Sequence, residues 1–337
     1  MRILLLEYVT GGGIDPAQSS ASLIAEGLLM RNALLADLAE IPGITVVILH
    51  DGRIDNPGRP HGHRVEYLPV SSARAFELAW RTQLARCDAV WPIAPETGGV
   101  LARLCRDAEV SGCALLTSSS AAVEVAGSKH QTIEALCRSG IPAISTRQAN
   151  PGLVPSAFPV VVKPDDGAGC DGLRILGSAR EWRDWMAGTE WMNGIVQPLM
   201  AGDPRSVSAL FARGRARLLS CNRQALRVTG GRFELGGCAV NLPDTDRDDA
   251  ERLAAAVATA IPELWGYAGI DFLQTGTGPV VLEVNPRLTT SYVGLRMALG
   301  INVAARVLDL WMTGELPSGD LPRGKTVHVA IGDHHAG

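Results

Sequence analysis

Short apolar runs alternating with helically spaced segments organise the first third of the chain. Ile3–Leu6, Thr45–Leu49 and Ala89–Pro92 are continuously apolar, as strands buried on both faces are. Between them, Ser22–Glu40 and Ala73–Arg86 repeat apolar positions at helical spacing. The alternation predicts a parallel sheet with helices on both faces. Thr117-Ser118-Ser119-Ser120-Ala121, small and polar, reads as a linker or hinge. A helix is predicted over Ser128–Ser139, ended by Gly140 and kept from continuing by Pro142. Strands at Pro159–Lys163 and Gly172–Leu176 and a Trp-rich helix over Ala179–Met186 follow. Next come strands near Ile195-Val196-Gln197, at Val207–Phe211 and at Arg217–Cys221, the last two antiparallel. A helix over Arg247–Ala260, two short strands and two helices close the chain. The expected units are 1–116, 122–188 and 189–337.

The two short strands carry the strongest chemical signal. Asp271-Phe272-Leu273-Gln274 and Val280-Val281-Leu282-Glu283-Val284-Asn285 are joined by Thr275-Gly276-Thr277-Gly278-Pro279, a hairpin turn. Side chains alternate along a strand, so Glu283 and Asn285 share a face, and an antiparallel partner brings Asp271 beside them. Three hard oxygen donors on one face suit Mg²⁺, with Mn²⁺ as the alternative ion. A solvated carboxylate pair at a strand end would leave the same letters, so the weight rests on the rest of the chain.

Composition narrows the class. A chain of 337 residues exceeds one typical core, and 46% hydrophobic with 20% charged residues describes an ordinary globular protein. A net charge of -4 gives no footprint for nucleic acid, and no apolar run reaches the length of a membrane span. The opening apolar run reaches Glu7 too soon for a signal peptide and reads as a first strand. Seven cysteines without a CxxC pair fit reduced thiols in the cytoplasm. His61-Gly62-His63 and His334-His335 lie in polar loop or tail sequence and signal metal only weakly. No Ser-His-Asp or Cys-His pattern competes, and Cys170 has no adjacent base to activate it.

Val160-Val161-Val162-Lys163-Pro164 is a buried strand that delivers a lysine at its end. Asp165-Asp166-Gly167-Ala168-Gly169-Cys170-Asp171-Gly172 follows at once, a glycine loop able to turn backbone N–H groups toward an anion. No Gly-Lys-Ser or Gly-Lys-Thr follows, which excludes a Walker loop. A lysine directly before the loop favours phosphate over a plain hairpin turn. Lys129, Lys163 and Lys325 are the chain's only lysines against a large excess of arginine, so each is a candidate for a specific role. Gly11-Gly12-Gly13 follows the first strand but misses the G-x-G-x-x-G spacing of dinucleotide sites.

Lys129 at a helix start, Lys163-Pro164 with its loop, Gln197-Pro198-Leu199-Met200-Ala201-Gly202 and the trio Asp271, Glu283, Asn285 resemble the ATP-grasp fold in order and spacing. The resemblance implies α/β and α+β architecture: an ATP-grasp fold preceded by a Rossmann-like parallel α/β domain. It implies ATP between two subdomains, with Lys129, Lys163 and the loop residues Gly167, Ala168 and Gly169 at the phosphates. Gln197, Pro198 and Leu199 would face the base, and the acidic trio would hold Mg²⁺. Many members carry Glu where Gln197 stands, and a ribose-binding Glu near Asp203, whose register is off by one. Glu7-Tyr8-Val9-Thr10-Gly11-Gly12-Gly13, Ile93-Ala94-Pro95-Glu96-Thr97 and Asn285-Pro286-Arg287-Leu288-Thr289-Thr290-Ser291-Tyr292 are similar to the ATP-grasp ligases of methanofuran-type cofactor synthesis. That group joins glutamate to tyramine through an acyl phosphate. The resemblance therefore implies small carboxylate and amine substrates, and often a homodimer.

Arg287 shares a strand face with Asn285 and is expected to brace the acyl phosphate or the substrate carboxylate, with Lys163 also catalytic. Glu7, Gly12 and Glu96 follow strand ends, where open α/β sheets place ligands, and are expected with Thr289 and Tyr292 at the substrates. The competing readings are a non-catalytic ATP-binding sensor or scaffold and an ATP-dependent carboxylating enzyme.

Overall fold

In the computed structural model, residues 1–55, 64–169, 172–243 and 247–331 are described. His61, His63, Cys170, Asp171, His334 and His335, singled out above, lie outside them.

The N-terminal part contains β1 (Arg2–Glu7), α1 (Ala21–Ala39), β2 (Thr45–Asp51), β3 (Val65–Val70), α2 (Ala73–Leu84), β4 (Ala89–Ile93), α3 (Val100–Ser111) and β5 (Ala114–Leu115). The strands form the expected parallel sheet, in the order β3-β2-β1-β4-β5. Alternation along β1 divides its side chains between two cores. Leu4 and Leu6 pack with Phe76 and Trp80 of α2 and Leu101 and Leu104 of α3. Ile3 and Leu5 pack with Leu34 and Leu38 of α1, and that core continues into C-terminal helices through Leu295 and Val307. Burial of both faces explains why β1 reads as an unbroken apolar run.

The middle contains α4 (Ser120–Gly127), α5 (Lys129–Arg138), β6 (Arg147–Gln148), β7 (Val160–Pro164), β8 (Arg174–Leu176), α6 (Ala179–Met186) and β9 (Gly194–Pro198). The remainder contains β10 (Asp203–Ala212), β11 (Arg215–Thr229), β12 (Arg232–Val240), α7 (Arg247–Ala260), β13 (Gly266–Thr275), β14 (Gly278–Asn285), α8 (Tyr292–Leu299), α9 (Val303–Thr313) and β15 (Val327–Ala330). Strands β6 to β15 form a second sheet in the order β14-β13-β10-β11-β12-β8-β7-β9-β6, with β15 on β12. Its two halves meet at a single pair, Arg232 opposite Arg174, where the β11–β12 hairpin reaches across to β8.

Two expectations need correction. The division at 188/189 separates β9 from the strands it pairs with, since β9 lies between β7 and β6 and Val196 packs in their core. Nor is Thr117–Ala121 a solvated hinge. Thr117 Oγ1 donates to Pro286 O (3.0 Å), Ser118 Oγ to Trp265 O (3.0 Å), and Ser119 caps α4. Small hydroxyl residues suit a buried crossing because they hydrogen-bond the backbone they pass. Serines also begin the helices that matter here: Ser20 caps α1, Ser128 caps α5 and Ser178 caps α6. Each such cap is worth about 1 kcal/mol.

Candidate active site

The β13–β14 hairpin sets Asp271 directly opposite Glu283. The register shifts just beyond them, where Phe272 pairs with Val281, so Leu282 is an extra residue on β14. Val281 and Val284 point into the core, while Leu282, Glu283 and Asn285 face a cavity of about 340 Å³. Asn285 Nδ2 donates to Asp271 Oδ2 at 3.3 Å. Burial and the neighbouring Glu283 carboxylate push the Asp271 pKa up. Burial also opposes ionisation of Glu283, but the ammonium groups of Lys129 and Lys163 outweigh it and hold its pKa down.

Lys129 is the first residue of α5, and Lys163 ends the apolar part of β7. Both are buried, and their Nζ atoms lie 3.2 and 3.9 Å from Glu283 Oε2. Lys129 Nζ also donates to Gly167 O at 2.5 Å. The glycine loop is anchored at its start. Asp165 accepts from Ser128 Oγ (2.6 Å) and His130 N (2.8 Å), which ties the loop to the start of α5. Asp166 accepts from Gly98 N (2.8 Å) and Asn193 Nδ2 (2.7 Å), and its carbonyl from Thr97 Oγ1 (3.0 Å). Gly172 has φ 70°, and a Cβ there would lie 2.9 Å from the Pro164 ring. Only glycine lets the chain double back on Lys163-Pro164 in this way.

Gln197, Pro198 and Leu199 line the cavity on the strand beside β7, and Gly167 and Gly169 line it from the loop. Gln197 is buried and its Nε2 donates to Thr146 Oγ1 (2.9 Å), which fixes the amide with its donor end away from β7. Ile144, Val161, Leu273 and Leu282 add apolar walls. Ala168, expected among the ATP contacts, is not part of the lining. Val161 could have been read from the alternation with Lys163. Leu282 could not, because the bulge reverses its face.

The substrate residues are placed less as expected. Glu7 is fully enclosed: its carboxylate accepts from Val9 N (3.2 Å), Thr10 N (2.7 Å) and Thr10 Oγ1 (2.6 Å), so it holds its own turn and does not face a crevice. Gly12 has φ 92° and packs where a Cβ would meet Val70 at 2.5 Å, so its glycine serves packing. Tyr292 is buried and donates to Asp37 Oδ2 (2.7 Å). Asp203, between the lining residues Gly202 and Pro204, pairs with Arg205 (2.9 Å) and Arg223 (2.8 Å). Glu96 and Arg287, both expected to meet substrate, bind each other. Arg287 Nε and Nη2 donate to the two Glu96 oxygens at 2.9 and 3.0 Å. Burial acts to lower the Arg287 pKa, and the Glu96 carboxylate more than reverses it. Thr289 does line the cavity, hydrogen-bonded to Tyr267 OH (3.0 Å). Thr290, part of the motif quoted from Asn285 to Tyr292, also lines it, as do Gln224 and Glu26, which carried no local signal in the sequence.

The donor chemistry fits a nucleotide triphosphate with a hard divalent cation. Two adjacent carboxylates, one with its pKa raised by burial and by the other, gain from a shared cation, and Asn285 supplies a neutral oxygen. Among the described residues no group of three His, Cys, Asp or Glu forms a metal site, so a softer, protein-only cage is not built here.

An arrangement of two lysines, a glycine loop and an Asp/Glu/Asn trio around one cleft defines a class of ATP-using enzyme. Family models agree: an ATP-grasp domain matches residues 126–291 and a pre-ATP-grasp domain matches 44–123. The chain belongs to the ATP-grasp superfamily, among its ATP-dependent ligases that form carbon–nitrogen bonds. It is similar to tyramine–L-glutamate ligase of Methanocaldococcus jannaschii, 26% identical over 299 residues, covering 87% of this chain and 84% of the relative. The corresponding ligase of Methanocaldococcus fervens is 26% identical over 296 residues, covering 87% and 89%. D-alanine–D-alanine ligase from Bacillus anthracis complexed with ATP shares the fold, with a TM-score of 0.63 at 16% identity over 93% of this chain and 95% of that one.

Proposed function

We propose that the protein joins glutamate to tyramine or a closely related amine, as a step in making a methanofuran-type cofactor. The observation that carries the ligase chemistry is the convergence of Lys129 and Lys163 on Glu283, beside Asp271 and Asn285, on the cavity wall. The likeness to two tyramine–L-glutamate ligases over most of their length supports the choice of acid and amine.

In this reading Lys129 and Lys163 are point charges for phosphate oxygens, and their burial makes each charge count for more than it would in water. Asp271, Glu283 and Asn285 would hold Mg²⁺, which when bound would neutralise charge on the terminal phosphates. The Gln197 carbonyl accepts from the adenine amino group while Val161, Leu199 and Leu282 enclose the base. The reaction class forms an acyl phosphate from the substrate carboxylate, and the amine displaces phosphate to leave an amide. A mixed anhydride hydrolyses readily, so the loop beginning at Asp165 serves to cover it. The buried Arg287 is held by Glu96 at the substrate end and contributes positive potential there without being free to swing.

The test is ADP release with glutamate and tyramine, alone and together. Turnover that needs both, with an amide product by mass spectrometry, is the expected result. Release that depends on bicarbonate and no amine would overturn the ligase assignment in favour of carboxylation. ATP binding without release under any substrate pair would favour the sensor reading.

A further inference from the structure

Beyond the Asp/Glu/Asn trio, the cavity ends between two parts distant in sequence: Thr289, Thr290 and Ser291 after β14, and Glu26 on α1. Three carboxylates of described residues line the cavity: Glu26, Asp271 and Glu283. Asp271 and Glu283 are committed to Asn285 and the lysines. Glu26 makes no ion pair among the described residues, and its partner is a neutral hydroxyl, donated by Thr290 Oγ1. Arg287 at the same end is already bidentate to Glu96. The Arg287 charge reaches Glu26 through space but does not pair with it, so this half-buried carboxylate keeps the capacity to accept from a cationic group in the cavity.

Glu26 is also held in place. A Cβ at Gly27 would sit 2.7 Å from Glu7 Oε2, so glycine lets α1 rest directly on the turn after β1. Further along the helix, Asp37 accepts from Tyr292 OH (2.7 Å) and Arg296 Nη1 (3.0 Å), which fastens α1 to α8. The enclosed Glu7 and the packed Gly27 thus set the rotation of α1 that turns Glu26 into the cavity. Cys238 lines the same cavity as Glu26 and Asp271.

We propose that Glu26 binds the ammonium group of an amino-acid substrate and makes the enzyme select amino acids over carboxylic acids that lack the amino group. The inference rests on the ligase reading above and adds the residue that recognises the acid. Thr290 orients the carboxylate, and the charge provides the selection.

The experiment compares ADP release, with tyramine as acceptor, from L-glutamate and from glutarate, its counterpart without the amino group. Titration calorimetry of both acids in the presence of MgADP gives the same comparison without turnover. The wild-type protein should prefer glutamate by roughly tenfold or more. Glu26→Gln keeps a partner for Thr290 and should bring the ratio close to one, with KM for ATP unmoved. Thr290→Val removes the hydroxyl, leaves the charge and should keep most of the preference. The proposal is overturned if Glu26→Gln retains the preference, if the wild type has none, if Thr290→Val abolishes it equally, or if only KM for tyramine changes. If neither acid supports release or binding, the choice of glutamate fails separately. The comparison then passes to whichever acid is active in a panel of amino acids and their des-amino counterparts, where preference for a des-amino acid overturns the role of Glu26.

Discussion

Lys129 Nζ lies 3.2 Å from Glu283 Oε2, and Lys163 Nζ 3.9 Å from the same oxygen. One carboxylate therefore compensates two buried cations contributed by different elements, α5 and β7. The same three groups are the ones assigned to phosphates and metal. In the proposed reading, replacing this one side chain should therefore affect stability and catalysis together.

Glu283→Gln should reduce kcat by about a hundredfold or more, a loss near 2.7 kcal/mol of transition-state stabilisation. It also leaves two ammonium groups buried without their carboxylate, at a cost of roughly 3 kcal/mol in the absence of nucleotide. Urea denaturation of the variant should show that loss, and added ATP should recover part of it, because phosphate replaces the missing charge. Wild-type kcat in the variant would remove Glu283 from the metal site.

Arg287 and Glu96 are 191 residues apart in the chain yet form a buried bidentate pair between the N-terminal sheet and the end of β14. Glu96→Gln should destabilise the fold by about 3 kcal/mol by stranding the guanidinium. Adding Arg287→Met to that variant should return part of the loss. A double-mutant cycle by urea denaturation should give a coupling of about 1.5 kcal/mol or more, and strict additivity would show that the pair does not hold the two parts together.

Much of this architecture was legible because it is local. The Trp-rich helix over Ala179–Met186 and the helix over Arg247–Ala260 have the bounds that periodicity predicts. The pairing of Asp271 with Glu283 follows from a hairpin turn and period-two alternation. What escaped is tertiary. Sequence shows that Glu7 and Glu96 follow strand ends, but whether such a carboxylate faces a cleft, its own turn or an arginine depends on chains that arrive later. Strand β12 was hidden by its polar alternation and by Gly236-Gly237, and with it the full length of β11. Glu26 belongs to a helix whose pattern reports only that one face is buried.

Glu7 gives a pH dependence of stability with a defined sign. Burial raises its pKa above the ordinary 4.5, against the lowering effect of its hydrogen bonds from Thr10 and Val9. The folded state therefore holds the Glu7 proton more tightly than the unfolded chain does. The resulting stabilisation is complete below pH 4.5 and is lost as pH rises through the elevated folded value. Glu7→Gln removes this titration. Unfolding free energies of wild type and variant should accordingly diverge with pH, the wild type losing more stability as pH rises above 4.5. Parallel pH profiles would show that Glu7 titrates normally.

The glycine loop supplies the last prediction. Its first residues are held by neighbours on three sides: Asp165 by the start of α5, and Asp166 by Gly98 and Asn193. These contacts are polar and partly exposed, so they break at modest cost, whereas the lysines beneath them are buried. A non-hydrolysable ATP analogue with Mg²⁺ should give the loop's backbone N–H groups a second set of partners. Hydrogen exchange at Asp165–Gly169 should then slow, while exchange in the core strand β10 stays unchanged. Asp166→Ala cuts the tie to Gly98 and Asn193 and should speed exchange in the nucleotide-free protein more than in the complex. It should also raise ADP release with glutamate but no amine, because a loosened cover admits water to the acyl phosphate. Exchange unaltered by nucleotide would take the loop away from the phosphates. Faster exchange in Asp166→Ala without futile ADP release would leave it an anchor, with no part in excluding water.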